Sequence, residues 1–556
     1  MKKIILVISL IISQLSFSVA QPSWVKKASK SVFSLKTFAA DGSLIASSNG
    51  FFIGPNGEGV SSFAPFIGAK RAIIIDAAGK EQQVRGMMGA NEMYDVAKFR
   101  VDGKTQPLTV AATKVPVGST LWMLPYRDTK KVAGGAVRKA ETFQADYAYY
   151  TIALQTTELD VSCPLLNDAG EVVGILQPAA SAQDTLSYAV SARFADSLKV
   201  NGLSLNNPSL KKTFIKTEMP DNLQDANLMM YIAGSTADSA TYVRLVDDFI
   251  QKFPSAPDGY TYRGQFAAGY GDFAAAERDM EQAIKLSAEN KDNAHFNYAR
   301  LIYNKVIYQD DKPYDKWTLD KALSEIQEAV SINSLPAYRQ VEGNILFAQK
   351  KYDEAYIIFK ELTKSNLDEA EMWFAASRCK QHLKDSTAML ALLDSAVNTF
   401  SKPYLKQAAP YLWTRANARM DAGRYREAVS DMNDYEQLMS TDVNARFYYI
   451  RHQAEVEGHL FQQALNDINK AITMEPKETL YYAEKASLQI RVGMYDEAME
   501  TARETLAIEP NSSDGYLFLG VAQCAKDNTK EGIPNLQKAK ELGDPQADRL
   551  IQRYSK

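Results

Sequence analysis

Gly423-Arg-Tyr425-Arg-Glu-Ala428 is one copy of a pattern that returns at Gly271-Asp-Phe273-Ala-Ala-Ala276 and at Gly493-Met-Tyr495-Asp-Glu-Ala498. A copy without the glycine stands at Lys351-Tyr352-Asp-Glu-Ala355, and weaker ones centre on Ala240, Ala322, Ala388, Ala464 and Gly532. Each reads as the joint of a helical hairpin. The glycine ends the first helix, the aromatic plugs the bend, and the small alanine lets two helices approach closely. Pro254, Pro476 and Pro510 then stop the second helix. Most neighbouring copies lie about 33 to 40 residues apart, with an insertion between Ala276 and Ala322. This periodicity predicts about nine hairpins between residues 225 and 550, each packed mainly on its neighbours, with a groove on the inner face.

A period near 34 with this signature resembles the tetratricopeptide repeat (TPR). That family holds peptides and extended segments in its groove, so protein partners are implied. The corresponding positions here include Thr261, Gln265, Gln340, Asn344, Trp413, Asn417, Tyr448 and His452. The basic residues of the family's carboxylate-clamping version are missing from them. The expected partner-binding groove is therefore neutral, with Gln265, Asn344, Trp413, Asn417, Tyr448 and His452 offering amide and aromatic groups.

Before residue 199 the texture is different. Short apolar runs rich in β-branched and aromatic residues, such as RAIIID, STLWML, YAYYTIAL and GEVVGILQP, are broken by turn signals. Runs of this length and spacing predict antiparallel strands in a sandwich or barrel. Residues 201–224, polar and rich in Asn, Lys and Pro, read as a linker or an ordered strap.

Three segments of the β-rich part resemble the trypsin-like fold, in its HtrA-type branch. SNGFFIGPNGEGVSSFAPFIGA (48–69) follows the family segment that ends on the catalytic His, and Ala64 stands at that position. YDVAKFRVDG supplies Asp95 where the family has its orienting acid. LDVSCPLLNDAGEVVGILQP (159–178) matches the nucleophile segment and puts Val161 in place of the serine. The degenerate triad is thus Ala64, Asp95 and Val161. The loop glycines of the family are replaced by Leu159, Ser162 and Cys163, whose Cβ atoms resist positive φ, so its oxyanion donors are not expected. All four histidines (His295, His382, His452, His459) lie beyond residue 225, so the β-rich part has no imidazole to act as base. The resemblance therefore implies a pseudoprotease.

The 556-residue chain exceeds one ordinary core, and its net charge of -4 with a pI of about 5.8 argues against a nucleic-acid binder. Lys2 and Lys3, the apolar Ile4–Ile12 stretch and Ser18-Val19-Ala20 read as a secretory signal, with no run long enough to span a bilayer. Cys163, Cys379 and Cys524 are too few and too scattered for a disulfide framework. His452, Glu455 and His459 would share a face of an unbroken helix, but Gly458 is expected to end it. No metal site, phosphate loop or cofactor is expected.

The expected organisation is a signal peptide (1–20), a trypsin-like all-β double barrel (21–200), a linker (201–224) and an all-α TPR superhelix (225–556). The expected function is an exported bacterial scaffold in an envelope complex, whose partners are other envelope proteins or extended peptide segments. The periplasm is the expected location, with the outer membrane or cell surface left open. A divergent peptidase using Cys163, and a chaperone-like holdase, are the alternatives.

Overall fold

A computed structural model describes residues 21–179, 181 and 184–555; the expected signal segment, 1–20, lies outside them. The chain divides into two compact units, Met1–Phe266 and Ala267–Lys556.

In the first unit, a short helix α1 (Val25–Ala28) precedes six strands: β1 (Val32–Phe38), β2 (Leu44–Phe52), β3 (Glu58–Ser61), β4 (Arg71–Ile75), β5 (Glu81–Asn91) and β6 (Val96–Val101). They close into an antiparallel barrel in the order β1-β2-β3-β6-β5-β4. A second barrel uses β7 (Thr120–Met123), β8 (Ala133–Phe143), β9 (Tyr147–Ile152), β10 (Pro164–Leu166), β11 (Val172–Leu176) and β12 (Ser187–Ser191). Its order, β7-β8-β9-β12-β11-β10, repeats the topology of the first. This is the trypsin-like double barrel that the sequence implies.

Alternation builds the barrels. In β1, Phe33, Leu35 and Thr37 point inward while Ser34, Lys36 and Phe38 do not. Gly50 faces Phe33, and a Cβ there would stand 2.4 Å from the ring, so the glycine makes room for a core aromatic. Phe33, Phe52, Phe63, Phe66 and Phe99 fill barrel 1, and Leu121, Tyr150, Leu165 and Val173 fill barrel 2. A third cluster joins Phe51, Val60 and Val96 to Leu166, Ile175 and Val190, fixing one barrel on the other.

The segment after barrel 2 is an ordered strap. Leu210 and Ile215 enter the core of barrel 1, each worth roughly 2 kcal/mol of burial. Met87 N donates to Lys216 O and Glu218 N returns the bond to Met87 O. Arg85 grips the Glu218 carboxylate with Nε at 3.0 Å and Nη2 at 2.5 Å. The strap also packs on α2 (Leu223–Thr236) and α3 (Ser239–Lys252) through Met219, Val200 and Leu205. Helical sequence therefore begins near residue 223, whereas the compact unit ends only at Phe266, within α4 (Pro257–Gly269).

The second unit continues with α5 (Phe273–Leu286), α6 (Lys291–Tyr308), α7 (Leu319–Ile332), α8 (Pro336–Ala348), α9 (Tyr352–Leu362) and α10 (Glu369–His382). Then come α11 (Ser386–Asn398), α12 (Ala409–Asp421), α13 (Tyr425–Leu438), α14 (Ala445–Glu457) and α15 (Phe461–Met474). The run closes with α16 (Thr479–Arg491), α17 (Tyr495–Ile508), α18 (Ser513–Ala525), α19 (Thr529–Glu541) and α20 (Ala547–Tyr554). This is a TPR-like helical array.

The repeat signature works as its chemistry requires. Gly271, Gly423 and Gly493 have φ of 86°, 71° and 80° at the ends of first helices. Lys350, Lys384, His459 and Asp527 hold the same left-handed corner with a Cβ, which is why those copies are faint in sequence. Ala276, Ala355, Ala428 and Ala498 are fully buried, as are Ala322 and Ala464 among the weaker copies. Two weak copies are corrected. Ala240 is exposed, and Ala388 falls one residue early, because the corner at Lys384 puts Met389 in the alanine register.

Candidate functional site

β3 runs through Ser62 and Phe63 into a 3₁₀ turn, Ala64–Phe66, opened by Pro65. The burial of Phe63 and Phe66 in barrel 1 leaves the Ala64 methyl exposed between two anchors. Asp95 occupies the turn before β6 with φ 48°, and its Oδ1 accepts the Ala64 amide at 2.7 Å. The structure thus brings together the positions matched to the base and the orienting acid. The acid binds backbone where the resemblance would have it bind an imidazole.

The third position lies on a loop from barrel 2. A 3₁₀ turn, Glu158–Asp160, is stapled by Asp160 Oδ2, which accepts both the amide and the hydroxyl of Thr157 at 2.8 Å. Val161 follows, half-buried, and its amide points back to Glu158 O at 3.5 Å. From barrel 1, Asn49 Nδ2 donates to Leu159 O at 2.7 Å and to Val161 O at 3.0 Å.

Ser162 corrects one expectation. It adopts φ 67° despite its Cβ. The strain is held by a cluster of hydroxyls. Ser162 Oγ accepts the Ser62 amide at 2.9 Å and lies 2.5 Å from Ser62 Oγ and 3.1 Å from Ser48 Oγ. The Ser162 amide donates to Leu176 O. Ser162 is fully buried, and no carboxylate or imidazole is among these partners of its hydroxyl. Cys163 sits in the barrel 2 core, where burial pushes its thiol far above the ordinary range. The Ser162 hydroxyl thus has serine partners, the Cys163 thiol is buried, and the Val161 amide turns back on its own loop.

The expected groove positions scatter. Gln265 is exposed on α4 and belongs to the first unit; the others belong to the second. Asn344 is half-buried on α8. Trp413 packs between Tyr435 and Phe447, with ring centroids 5.2 Å and 5.8 Å away, and Asn417 Nδ2 donates to the Trp413 carbonyl of its own helix. Tyr448 joins the same cluster and donates its hydroxyl to Glu436 Oε1 at 2.8 Å. His452 is corrected outright. It is 1% exposed, its Nδ1 lies 2.9 Å from Ala464 O, and burial holds its pKa below the usual histidine value. The close approach that Ala464 allows draws the ring between α14 and α15. His459 falls in the turn with φ 56°, away from the α14 face that carries His452 and Glu455.

Two features escaped sequence reasoning. One is the Asn49 and serine clasp across the barrels. The other is a buried ion-pair ladder in the array. Arg415 pairs with Asp431 through Nε at 2.9 Å and Nη2 at 2.6 Å, and Arg451 pairs with Asp467 at 2.5 Å and 3.0 Å. The signal was present: an Arg and an Asp at one spacing, recurring one repeat later.

No family model matches the chain. Among curated proteins, it is 29% identical over 87 residues to the bovine (Bos taurus) Protein SGT1 homolog, covering 16% of this chain and 26% of that one. It is 27% identical over 93 residues to the small glutamine-rich tetratricopeptide repeat-containing protein 2 of Saccharomyces cerevisiae, covering 17% and 27%. The chain thus spans about a quarter of the length of these relatives. Among solved structures, an M. tuberculosis protease in its active form aligns at 18% identity and a TM-score of 0.29, over 32% of this chain and 84% of that one. The strand order of the two barrels stands on its own without that alignment. No helix among the described residues is long and apolar enough to cross a membrane.

Proposed function

We propose that this protein is an exported, non-hydrolytic scaffold of a bacterial envelope complex. In this reading a trypsin-like double barrel serves as a docking body, and a TPR-like array binds protein partners. The observation that carries the first part is the Asp95–Ala64 hydrogen bond. The one surviving triad side chain is committed to main chain, beside a loop whose nucleophile position is Val161 and whose Ser162 hydroxyl is bound among other serines. The burial of Cys163 weighs against the peptidase alternative. Its thiol is fully buried.

The second part is supported by the array and by relatives whose printed names include tetratricopeptide proteins. Export and envelope location rest on the Lys2–Ala20 sequence alone. The test combines two measurements on the full chain. Incubation with unfolded and peptide substrates should give no cleavage, and purification from native membranes should recover a fixed set of partners. A hydrolysis rate abolished by substitution at Ser162 or Cys163 would overturn the reading. Suppression of aggregation of unrelated proteins, without a fixed partner, would favour the holdase.

A further inference from the structure

The insertion between α6 and α7 builds a site away from the groove positions considered above. Lys305, in the last turn of α6, is only 8% exposed, although lysine is rarely buried without a partner. Among the described residues no carboxylate pairs with it. Its Nζ stands 5.7 Å from the centre of the Phe273 ring. That ring gives the ammonium a cation–π neighbour but no anion.

Lys305 lines a groove of about 730 Å³ bounded by two hairpin turns, the insertion with Asp310, Tyr314 and Asp315, and the turn between α8 and α9 with Gln349 and Lys351. Gln349 adds a second unpaired group. Its Nε2 donates to Asp320 Oδ1 at 2.8 Å, which fixes the orientation of the amide, and its Oε1 is buried without a hydrogen-bond donor. A buried acceptor in this state costs free energy until a donor arrives.

One groove therefore holds a cation lacking an anion and an amide oxygen lacking an N–H. An extended polypeptide supplies both. Asp310 and Asp315 on the exposed rim disfavour a run of acidic residues and favour a base beside a single acid. Lining side chains stand on both hairpin turns, so a chain can pass across the site rather than end in it.

We propose that this groove binds an extended segment of a partner protein. The segment places one Glu or Asp side chain against Lys305 Nζ, draws the Gln349 amide outward so that Oε1 accepts a backbone N–H, and carries Lys or Arg beside the acid. This deepens, and rests on, the reading of the array as protein-binding.

The test is calorimetric titration of the full chain with capped pentapeptides KAEAK and KAQAK, and with KAKAA carrying a free C-terminal carboxylate. KAEAK should bind about tenfold tighter than KAQAK, the factor expected of a charge-assisted hydrogen bond. In Lys305→Met, which keeps the apolar stem, the preference should vanish while both peptides still bind. Gln349→Met should weaken both peptides alike and serves if Lys305→Met does not fold. Equal binding of KAEAK and KAQAK, binding of neither, a preference that survives Lys305→Met, or KAKAA matching KAEAK each overturns the proposal. If native partners still co-purify while the peptides fail, this inference falls and the scaffold reading stands.

Discussion

The Asp95 carboxylate accepts the backbone amide of Ala64 at 2.7 Å. An acid that would orient a catalytic imidazole here closes a turn, as a helix-capping side chain does. Asp95→Asn keeps an oxygen acceptor and a residue tolerant of φ 48°. Asp95→Ala loses both. We expect Asn to leave stability nearly unchanged and Ala to cost about 1–3 kcal/mol, read by denaturant unfolding.

Asn49 ties the loop of barrel 2 to barrel 1 through two carbonyls. Asn49→Ala should release residues 158–162 while leaving the barrel cores intact. Amide exchange at those positions should rise, with a loss of about 1–2 kcal/mol. Unchanged exchange would show that the serine cluster holds the loop without Asn49.

The Arg451–Asp467 pair is buried on both sides, at 4% and 5% side-chain exposure. Asp467→Ala leaves the guanidinium with Glu436 and Asn433, and with the buried Glu455 3.9 Å away. We expect a loss of about 3–5 kcal/mol. Replacing both members, as Arg451→Met with Asp467→Leu, should cost less than the single change, as a double-mutant cycle would read.

α14 is squeezed from both ends of the pH scale. Burial raises the Glu455 pKa from 4.5 to about 8, with Asp467 adding to the effect and Arg451 opposing it. The associated stability is complete below pH 4.5 and is lost as pH rises through about 8. His452, one turn earlier, has its pKa lowered by burial from 6.5, so its contribution is complete above pH 6.5 and is lost as pH falls. Glu455→Gln should therefore raise the melting temperature more at pH 8.5 than at pH 6. An equal shift at both values would contradict the buried neutral acid.

Lys384 and His459 hold left-handed corners that other repeats give to glycine. Lys384→Gly and His459→Gly should each stabilise the array, by up to about 1 kcal/mol. The converse change, Gly493→Ala, should cost a similar amount, since its φ is 80° while the space around a new Cβ is open.

What the chain wrote most plainly was its periodicity. A glycine, an aromatic and an alanine at fixed spacing are local requirements of one joint, so the hairpins at Ala276, Ala355, Ala428 and Ala498 were legible. The joint at Lys384 was misplaced by one residue because Lys occupies the corner where the pattern expects glycine. Ala64, Asp95 and Val161 were picked out by the motifs around them, and the structure sets Asp95 against Ala64. What Asp95 does instead of serving a triad was not legible, since its partner is a main-chain N–H that sequence cannot display. His452 was misread for a related reason. A helical face is set by sequence, but whether that face meets solvent or the next helix depends on how closely a distant alanine lets the backbone come.

The strap that laces residues 210–218 onto the first barrel has a practical consequence. A fragment ending at residue 200, shortly after the last strand (Ser187–Ser191), would leave the slots of Leu210 and Ile215 empty and the Arg85 fork without Glu218. The shortest piece of this chain able to stand alone as a double barrel must reach past its last strand by almost thirty residues, and trimming to the last strand should yield a sticky, poorly soluble product.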